Sequence, residues 1–131
     1  MLDTQALKDF FIHDEFARLN GIEIVDAAEG RARTQVRIEP RHLNAGGSVQ
    51  GGVLFTLADL AFAGAANSYG DKCVAMSAAV SFIRPGSGKM LRAVAREVNK
   101  GRRSCVMEVD IRGETEKLVA KIQFTGFFYE K

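Results

Sequence analysis

The sequence predicts an α+β domain in which a mainly antiparallel sheet covers one long apolar helix. Apolar residues recur at helical spacing from Thr4 to Leu19, and a second run, from about Gly51 to Tyr69, is apolar on nearly every face. The second half of the chain consists of long segments in which apolar and polar residues alternate, as in strands. With 131 residues, the chain is long enough to bury a core of its own, and we expect one domain over residues 1–131.

The first helix is expected from Thr4, as its N-cap, to Leu19, and Asn20-Gly21 is a plausible stop. Its core-facing residues would be Leu7, Phe10, Phe11, Phe16 and Leu19.

A hairpin is predicted next, with strands at 22–27 and 31–38 around Glu29-Gly30. Arg31, Arg33 and Arg37 share one face of its second strand, which is either a solvated sheet face or a phosphate-binding row. A glycine-rich loop, 41–52, leads into the central helix, and four strands are predicted after it, at 72–83, 89–99, 102–112 and 117–128.

Composition excludes several classes of function. The formal net charge is +2 without a dense basic run, which disfavours nucleic-acid binding. His13 and His42 lack neighbours at ligand spacing, so no metal site is expected. Cys73 and Cys105 are expected to be buried thiols, although a disulfide remains open. Neither a nucleophile elbow, nor a P-loop, nor a dinucleotide-binding glycine motif is present.

No membrane span or export signal is predicted. The longest apolar stretch, 53–66, is interrupted by Asp59 and is shorter than the roughly 18 residues that a span requires. The first residues lack a basic segment followed by an apolar run, which favours a cytoplasmic location.

Asp59 is the anomaly of the central helix, because it lies among apolar residues and too far from the start of the helix to act as a cap. Burying an unpaired carboxylate costs several kcal/mol or raises its pKa. Such a residue is either hydrogen-bonded, exposed at a groove, or used for chemistry.

The residues before the helix supply a complementary feature. Gly51 and Gly52 can present free backbone N–H groups at the positive end of the helix, where they could polarise a carbonyl oxygen. Asn44, in the preceding loop, could hold a water or a carbonyl group. Together with Asp59, these groups suffice for hydrolysis of an activated acyl group without histidine or metal.

Three segments resemble the hotdog-fold thioesterases of the phenylacetic-acid-degradation (PaaI) type: His42-Leu43-Asn44, Gln50 to Asp59, and Ser81 to Gly86. The resemblance extends over nearly the whole chain. It implies a single hotdog thioesterase domain whose curved antiparallel sheet wraps around one long helix. It also implies hydrolysis of acyl-coenzyme A thioesters by homodimers that usually pair into tetramers, with coenzyme A as part of the substrate and no separate cofactor.

By this resemblance Asp59 is the catalytic carboxylate, acting as general base or nucleophile, and the Gly51 amide polarises the thioester carbonyl. Asn44 matches the asparagine near the attacking water or carbonyl. Asp59 and Gly51 are expected to come from opposite subunits. Gln50 and Gly52 are expected at the substrate, and Gln50 stands where the family usually has histidine.

The resemblance also suggests contacts with the remainder of the substrate. Arg84 and the turn that carries Lys100, Arg102 and Arg103 resemble places where family members meet the coenzyme A phosphates, although the turn also fits an exposed basic hairpin. Ser77 is either a residue that orients water or a small polar residue of a packed strand.

Two alternatives remain open. Because glutamine cannot act as an acid or base, Gln50 leaves room for a protein that binds acyl-coenzyme A without hydrolysing it. Hydration of an enoyl thioester, another reaction of this fold, would rely on His42 as the available histidine.

Overall fold

A computed structural model of the chain describes residues 2–130, and its architecture confirms the α+β prediction. Short helices precede a hairpin, a long central helix follows, and four long strands complete the chain. The elements are α1 (Thr4–Phe11), α2 (Glu15–Leu19), β1 (Ile22–Ala28), β2 (Arg31–Arg37), a 3-10 turn (Pro40–His42), α3 (Gly51–Asn67), β3 (Lys72–Phe82), β4 (Met90–Lys100), β5 (Ser104–Arg112) and β6 (Leu118–Glu130).

The strands form a six-stranded antiparallel sheet in the order β1-β2-β4-β5-β6-β3. Helix α3 lies across one face of this sheet, which is the hotdog arrangement that the resemblance implied. Its backbone is tied to the sheet where the Thr34 hydroxyl donates to the Leu57 carbonyl at 2.8 Å. Strand β3 follows α3 in the chain but lies at the far edge of the sheet, with its outer side unpaired within the described residues.

The core forms between α3 and the inward side chains of β2, β4, β5 and β6. The predicted alternation of β2 is confirmed, since Ala32, Thr34 and Val36 are buried while the arginines face outward. Phe62 of α3 stacks on Phe124 of β6, with ring centroids 4.7 Å apart.

Both cysteines are free and buried, as expected. Their Sγ atoms are 3.9 Å apart although β3 and β5 are not neighbours. The intervening strand permits this contact because it carries Gly126 between them, where an added Cβ would lie 2.7 Å from the Cys73 Sγ and 2.9 Å from the Cys105 Sγ.

The prediction of one helix from Thr4 to Leu19 is wrong, because the segment breaks into α1 and α2 at residues 12–14. Asp3, rather than Thr4, caps α1, and Asp14 caps α2 by accepting from the Ala17 N–H at 3.0 Å. The predicted stop at Asn20-Gly21 is confirmed, with Gly21 at a φ of +69°.

The expected core face of this segment is also wrong in part. Leu7 is buried and Phe11 packs against the core, but Phe10, Phe16 and Leu19 are 61–66% exposed. The helical spacing therefore identified an apolar face that the chain itself does not cover.

Candidate active site

Asp59 lies at the middle of α3, on the same helix face as Gly52, Phe55 and Thr56, which precede it by seven, four and three residues. The carboxylate is half-buried and has no hydrogen-bond or ion-pair partner within residues 2–130. Burial raises the pKa of Asp59 above its ordinary value, and the nearby Asp14 carboxylate raises it further. An unpaired carboxylate that favours its protonated form is a better proton acceptor, when ionised, than an ordinary aspartate.

The start of α3 distinguishes its two glycines. The Gln50 side chain caps the helix, with its Oε1 accepting from the Gly52 N–H at 2.5 Å. The Gly51 N–H has no acceptor in the part of the chain that the structure describes. It is therefore the N–H group at this helix start that remains available to a ligand.

Gly51 also permits a close approach by Phe82, the last residue of β3. A Cβ added at Gly51 would lie 3.3 Å from the Phe82 ring, which is itself 59% exposed. The aromatic ring thus forms a wall beside the free N–H group.

The glycine-rich loop is a tight, hydrogen-bonded turn that fixes the entry to α3. The Asn44 Oδ1 accepts from the N–H groups of Gly46 and Ser48, at 2.9 and 3.1 Å. The Val49 N–H donates to the Gly86 carbonyl, which joins the loop to the connection between β3 and β4. Since the side-chain Oδ1 of Asn44 closes the turn, the Nδ2 of the same side chain is the group left to contact a ligand.

These features meet in an open groove of about 400 Å³ at the start of α3. It is lined by Asn44, Ser48, Val49, Gly51, Leu54, Phe82, Ile83, Arg84, Pro85 and Gly86. Three of the residues singled out in the sequence, Asn44, Gly51 and Arg84, are therefore brought together.

A second groove, of about 530 Å³, lies between α2 and the first turns of α3. It is lined by Phe16 of α2, Asn20 at the end of that helix, Ile22 of β1, Arg41, the α3 N-cap Gln50, and Gly52, Val53, Phe55 and Thr56 of α3. Helix α2 was not among the elements predicted to form the site. The feature of the sequence that could have predicted this helix is Asp14, because an aspartate immediately before an apolar helical stretch is a typical N-cap.

Other candidates are far apart within one chain. Gly51 and Asp59 are eight residues apart on one helix, a distance of about 12 Å along its axis. Arg84 precedes β4, whereas Arg102 and Arg103 follow its far end, and the strand between them is about 33 Å long at the usual rise.

The basic residues of the turn after β4 have two different environments. The Lys100 Nζ is 3.7 Å from the Asp71 carboxylate and about 5 Å from the ring centroids of Tyr69 and Phe128, so it is held against the protein. Arg102 and Arg103 are exposed and line a shallow depression with Phe128, Tyr129 and Glu130.

Ser77 is exposed on the edge strand β3, beside a register shift between Ala75 and Ser77. Val74, Met76 and Phe82 of the same strand are 50–61% exposed. An apolar strand with an unpaired edge is a surface that another strand commonly covers.

His42 is a structural residue. The ring is 1% exposed, its Nδ1 accepts from the Glu39 N–H at 2.9 Å, and its Nε2 lies 2.7 Å from the Asn20 carbonyl. With Nδ1 accepting, Nε2 carries the proton and donates it, so neither nitrogen is free for acid–base chemistry. His42 is therefore not available as the acid or base that hydration of an enoyl thioester would require.

Within residues 2–130, no cluster of three or more His, Cys, Asp or Glu side chains has the arrangement of a metal site. Across the same residues, the helices are too short or too polar to cross a bilayer.

Comparison with known proteins gives concordant matches. The family model of the thioesterase superfamily matches residues 46–120. The acyl-coenzyme A thioesterase PaaI of Escherichia coli (strain K12) is 38% identical over 109 residues, which cover 82% of this chain and 78% of that protein.

Solved structures agree with the sequence matches. The PaaI protein of the E. coli phenylacetic acid degradation operon superimposes with a TM-score of 0.90 at 33% identity, covering 95% of this chain and 91% of that one. A hypothetical thioesterase of Streptococcus pneumoniae, solved with coenzyme A, gives a TM-score of 0.84 at 26% identity, covering 92% of this chain and 98% of the other.

Proposed function

Because the chain belongs to the thioesterase superfamily, we propose that it hydrolyses acyl-coenzyme A thioesters to the free acid and coenzyme A. The observation that carries this proposal is that one apolar helix holds two polar groups that make no hydrogen bond within residues 2–130. One is the half-buried Asp59 carboxylate, and the other is the free Gly51 N–H at the helix start. A base and a polarised carbonyl are the two requirements for adding water to a thioester.

In this mechanism Asp59 accepts a proton from a water molecule as the water oxygen attacks the thioester carbon. The Gly51 N–H donates to the carbonyl oxygen, on which negative charge develops. The C–S bond then breaks, and the departing thiolate takes up the proton. Direct attack by the Asp59 carboxylate, through an anhydride that water then hydrolyses, uses the same two groups.

The site is formed between two copies of the chain. Gly51 and Asp59 of one helix are about 12 Å apart along its axis, too far to act on the same carbonyl group. The unpaired apolar edge of β3 is the surface on which a second copy would add its own β3. Pairing of dimers into tetramers rests on the resemblance alone.

Antiparallel pairing of two β3 strands also explains the distribution of basic residues. It would bring the Phe82 end of one strand, with Arg84, towards the Lys72 end of the other, where Arg102 and Arg103 lie in the sheet. We assign the phosphates of coenzyme A to Arg84 of one subunit and to Arg102 and Arg103 of the other. Lys100 supports this turn through Asp71 and the aromatic rings rather than contacting the phosphates directly.

The remaining candidates shape the site. Gln50 occupies the Gly52 N–H and so directs the substrate carbonyl to Gly51. The Asn44 Nδ2 would donate to water or to the acyl group, since Asn44 lines the groove at the start of α3. Ser77, on the β3 edge, would face the subunit interface and orient water there.

The first experiment is thiol release from a panel of aryl-acetyl, benzoyl and straight-chain coenzyme A esters. Asp59→Asn and Asp59→Ala should lower kcat by about 10²- to 10⁴-fold, the usual contribution of a general base. Asp9→Asn, on the exposed face of α1, is the matched control and should retain the wild-type rate. Wild-type turnover by both Asp59 variants across the whole panel would refute the assignment.

The shared site is tested by mixing two inactive variants, Asp59→Asn and Gly51→Pro, after brief unfolding and refolding together. In a random mixture half of the dimers contain one chain of each kind, and one of their two composite sites is intact. About a quarter of the wild-type activity should therefore return. If both groups act within one chain, the mixture stays inactive.

The second candidate is an acyl-coenzyme A binding protein without turnover, which Gln50 favours because its amide is held as a helix cap and cannot act as a general acid or base. Calorimetric binding measured beside thiol release separates the two. Micromolar binding with no released thiol for any ester would favour the binding protein.

A further inference from the structure

A groove of about 420 Å³ lies on the face of the sheet that is turned away from α3, across β1, β2, β4 and β5. Four arginines line it, namely Arg33, Arg92, Arg96 and Arg112. Two carboxylates, those of Asp110 and Glu116, share the lining with them. None of these residues belongs to the proposed active site, so this concentration of arginines needs an explanation of its own.

The register of the sheet places the arginines around Val94 of β4. Val94 lies directly opposite Arg33 of β2 on one side and Asp110 of β5 on the other, with Cβ atoms about 4.5–5.5 Å apart at such positions. Arg92 and Arg96 are two residues before and after Val94 and therefore point to the same face. Val94 is 39% exposed, so it forms an apolar floor with guanidinium groups at its rim.

Arg92 and Arg112 form a pair of like charges, because they lie directly opposite each other on β4 and β5. Like charges at such positions destabilise a sheet. The Glu116 carboxylate pairs with Arg92 and offsets part of this repulsion, but the Glu116 side chain is 65% exposed. An exposed ion pair contributes little to stability and opens readily.

Arg112 has the longest ion pair of the four arginines, with its Nη2 3.5 Å from the Asp110 carboxylate. Asp110 also lies 3.3 Å from Arg96 and 3.0 Å from Lys121. Glu108 pairs with the same Arg96 and Lys121, so three cations share two carboxylates. The Arg112 Nη1 is buried and has no acceptor within residues 2–130, which costs free energy. Since the side chain is 39% exposed, rotation of its end would present this donor to an acceptor in the groove.

We propose that this groove binds a phosphorylated small molecule, whose phosphate lies between Arg92 and Arg112 and whose organic part lies on Val94. Guanidinium groups suit phosphate because they donate two parallel hydrogen bonds to its oxygens. The phosphate would displace the Glu116 carboxylate from Arg92 and separate the two like charges. Binding there uses neither group of the proposed active site, so the inference does not rest on the proposed function.

The probe is inorganic pyrophosphate, titrated in a calorimeter into the full chain with Arg84, Arg102 and Arg103 replaced by glutamine. These exposed arginines are the ones assigned to the phosphates of coenzyme A, and the groove on the outer face is unchanged. At an ionic strength held constant with potassium chloride, we expect one pyrophosphate to bind per chain. Displacement of pyrophosphate by coenzyme A in this background would identify coenzyme A as the source of the phosphate. Failure to displace it would identify a separate molecule.

Arg92→Gln and Arg112→Gln, each in this background, should weaken the binding about tenfold or more, because each removes charge-assisted hydrogen bonds to phosphate. Arg37→Gln is the matched control, since it removes the same charge from the same face of β2 but lies outside the groove. Its affinity should stay close to that of the background. If Arg112→Gln is less stable, Val94→Glu places a carboxylate on the floor of the groove and should prevent binding.

Glu116→Gln should have the opposite effect and tighten the binding, because it removes the carboxylate that competes for Arg92. Glu114→Gln is its control on the same turn. The Glu114 Oε1 accepts from the Lys89 N–H at 2.8 Å and lies outside the groove, so its replacement should change the affinity much less.

Absence of saturable binding beyond the effect of chloride would overturn the proposal. So would equal affinities of Arg112→Gln and Arg37→Gln, or of Glu116→Gln and Glu114→Gln. A general attraction of the surface for anions predicts such equality, because the two variants of each pair have the same net charge. All of these results are independent of thioester hydrolysis, so failure of the proposed function would leave them unchanged.

Discussion

Replacing Gly51 by proline removes one hydrogen-bond donor and leaves the path of the chain intact. Gly51 is the first residue of α3, where proline is tolerated because its missing N–H is not used within the helix. The preceding residue must be extended for proline to follow, and Gln50 already has φ −62° and ψ 137°. The Gly51 N–H has no acceptor within residues 2–130, so no internal hydrogen bond is lost.

The expected loss follows from the role of that N–H group. Removing one donor from an oxyanion site costs about 10²- to 10³-fold in kcat, or roughly 2.7–4 kcal/mol of transition-state stabilisation. KM should change much less, because the donor contacts the oxygen most strongly when it carries charge. Thermal unfolding of the variant should remain close to that of the wild type.

Gly51→Ala is the matched control, since it keeps the N–H and adds the Cβ that would lie 3.3 Å from the Phe82 ring. That ring is 59% exposed and can move, so the alanine variant should retain most of its turnover in the thiol-release assay. If the proline and alanine variants have the same kcat, the reasoning about the Gly51 N–H is refuted.

Two further predictions concern stability. Since burial and Asp14 raise the pKa of Asp59 above 3.8, ionised Asp59 destabilises the fold, and this cost is absent below that pH and complete above the raised pKa. Asp59→Asn should therefore melt at a higher temperature than the wild type at neutral pH, with the gain vanishing in acid; a gain that is equal at both pH values would contradict this linkage. Gly126→Ala should lower the free energy of unfolding in urea by about 1–3 kcal/mol, because the added Cβ would lie 2.7–2.9 Å from the two cysteine sulfurs and the Phe62 ring. Gly46→Ala, whose nearest contact would be an ordinary 3.5 Å, is the control, and equal stability of the two variants would exclude the expected clash.

The main layers could be predicted from the sequence because each has a clear periodicity. The run from Gly51 onward is apolar on nearly every face, so a helix there has to be buried, and the alternating strands of the same chain supply a sheet to cover it. The alternation along β5 and β6 fixed which residues point inward. The order of strands could not be predicted this way, because alternation says nothing about which strand follows which across a sheet.

The N-terminal segment shows the limit of periodicity more directly. Phe10, Phe16 and Leu19 have helical spacing, but the spacing does not say whether the chain has anything to place over them. The break at residues 12–14 depends on Asp14, whose side chain caps the start of α2. This cap favours a new helix start at a point where the apolar spacing favours one continuous helix.

At the site, the residue types could be predicted but not their hydrogen bonds. Gly51 and Gly52 are equivalent in the sequence, and the choice between them depends on where the Gln50 side chain lies. Likewise, Lys100 and Arg102 belong to one basic turn, and Lys100 is distinguished from Arg102 by contacts with Asp71, Tyr69 and Phe128, which are distant in sequence.

The cysteine pair over Gly126 has a practical consequence for assays of this protein. The sequence has two cysteines, and both are buried, so a colorimetric thiol reagent added to the folded protein should react first with released coenzyme A. The hydrogen bond with Cys105, together with burial, raises the pKa of the Cys73 thiol, which slows its reaction further. Without substrate, the slow labelling of these thiols would measure how often β3 and β5 separate from β6, and so how often this end of the sheet opens.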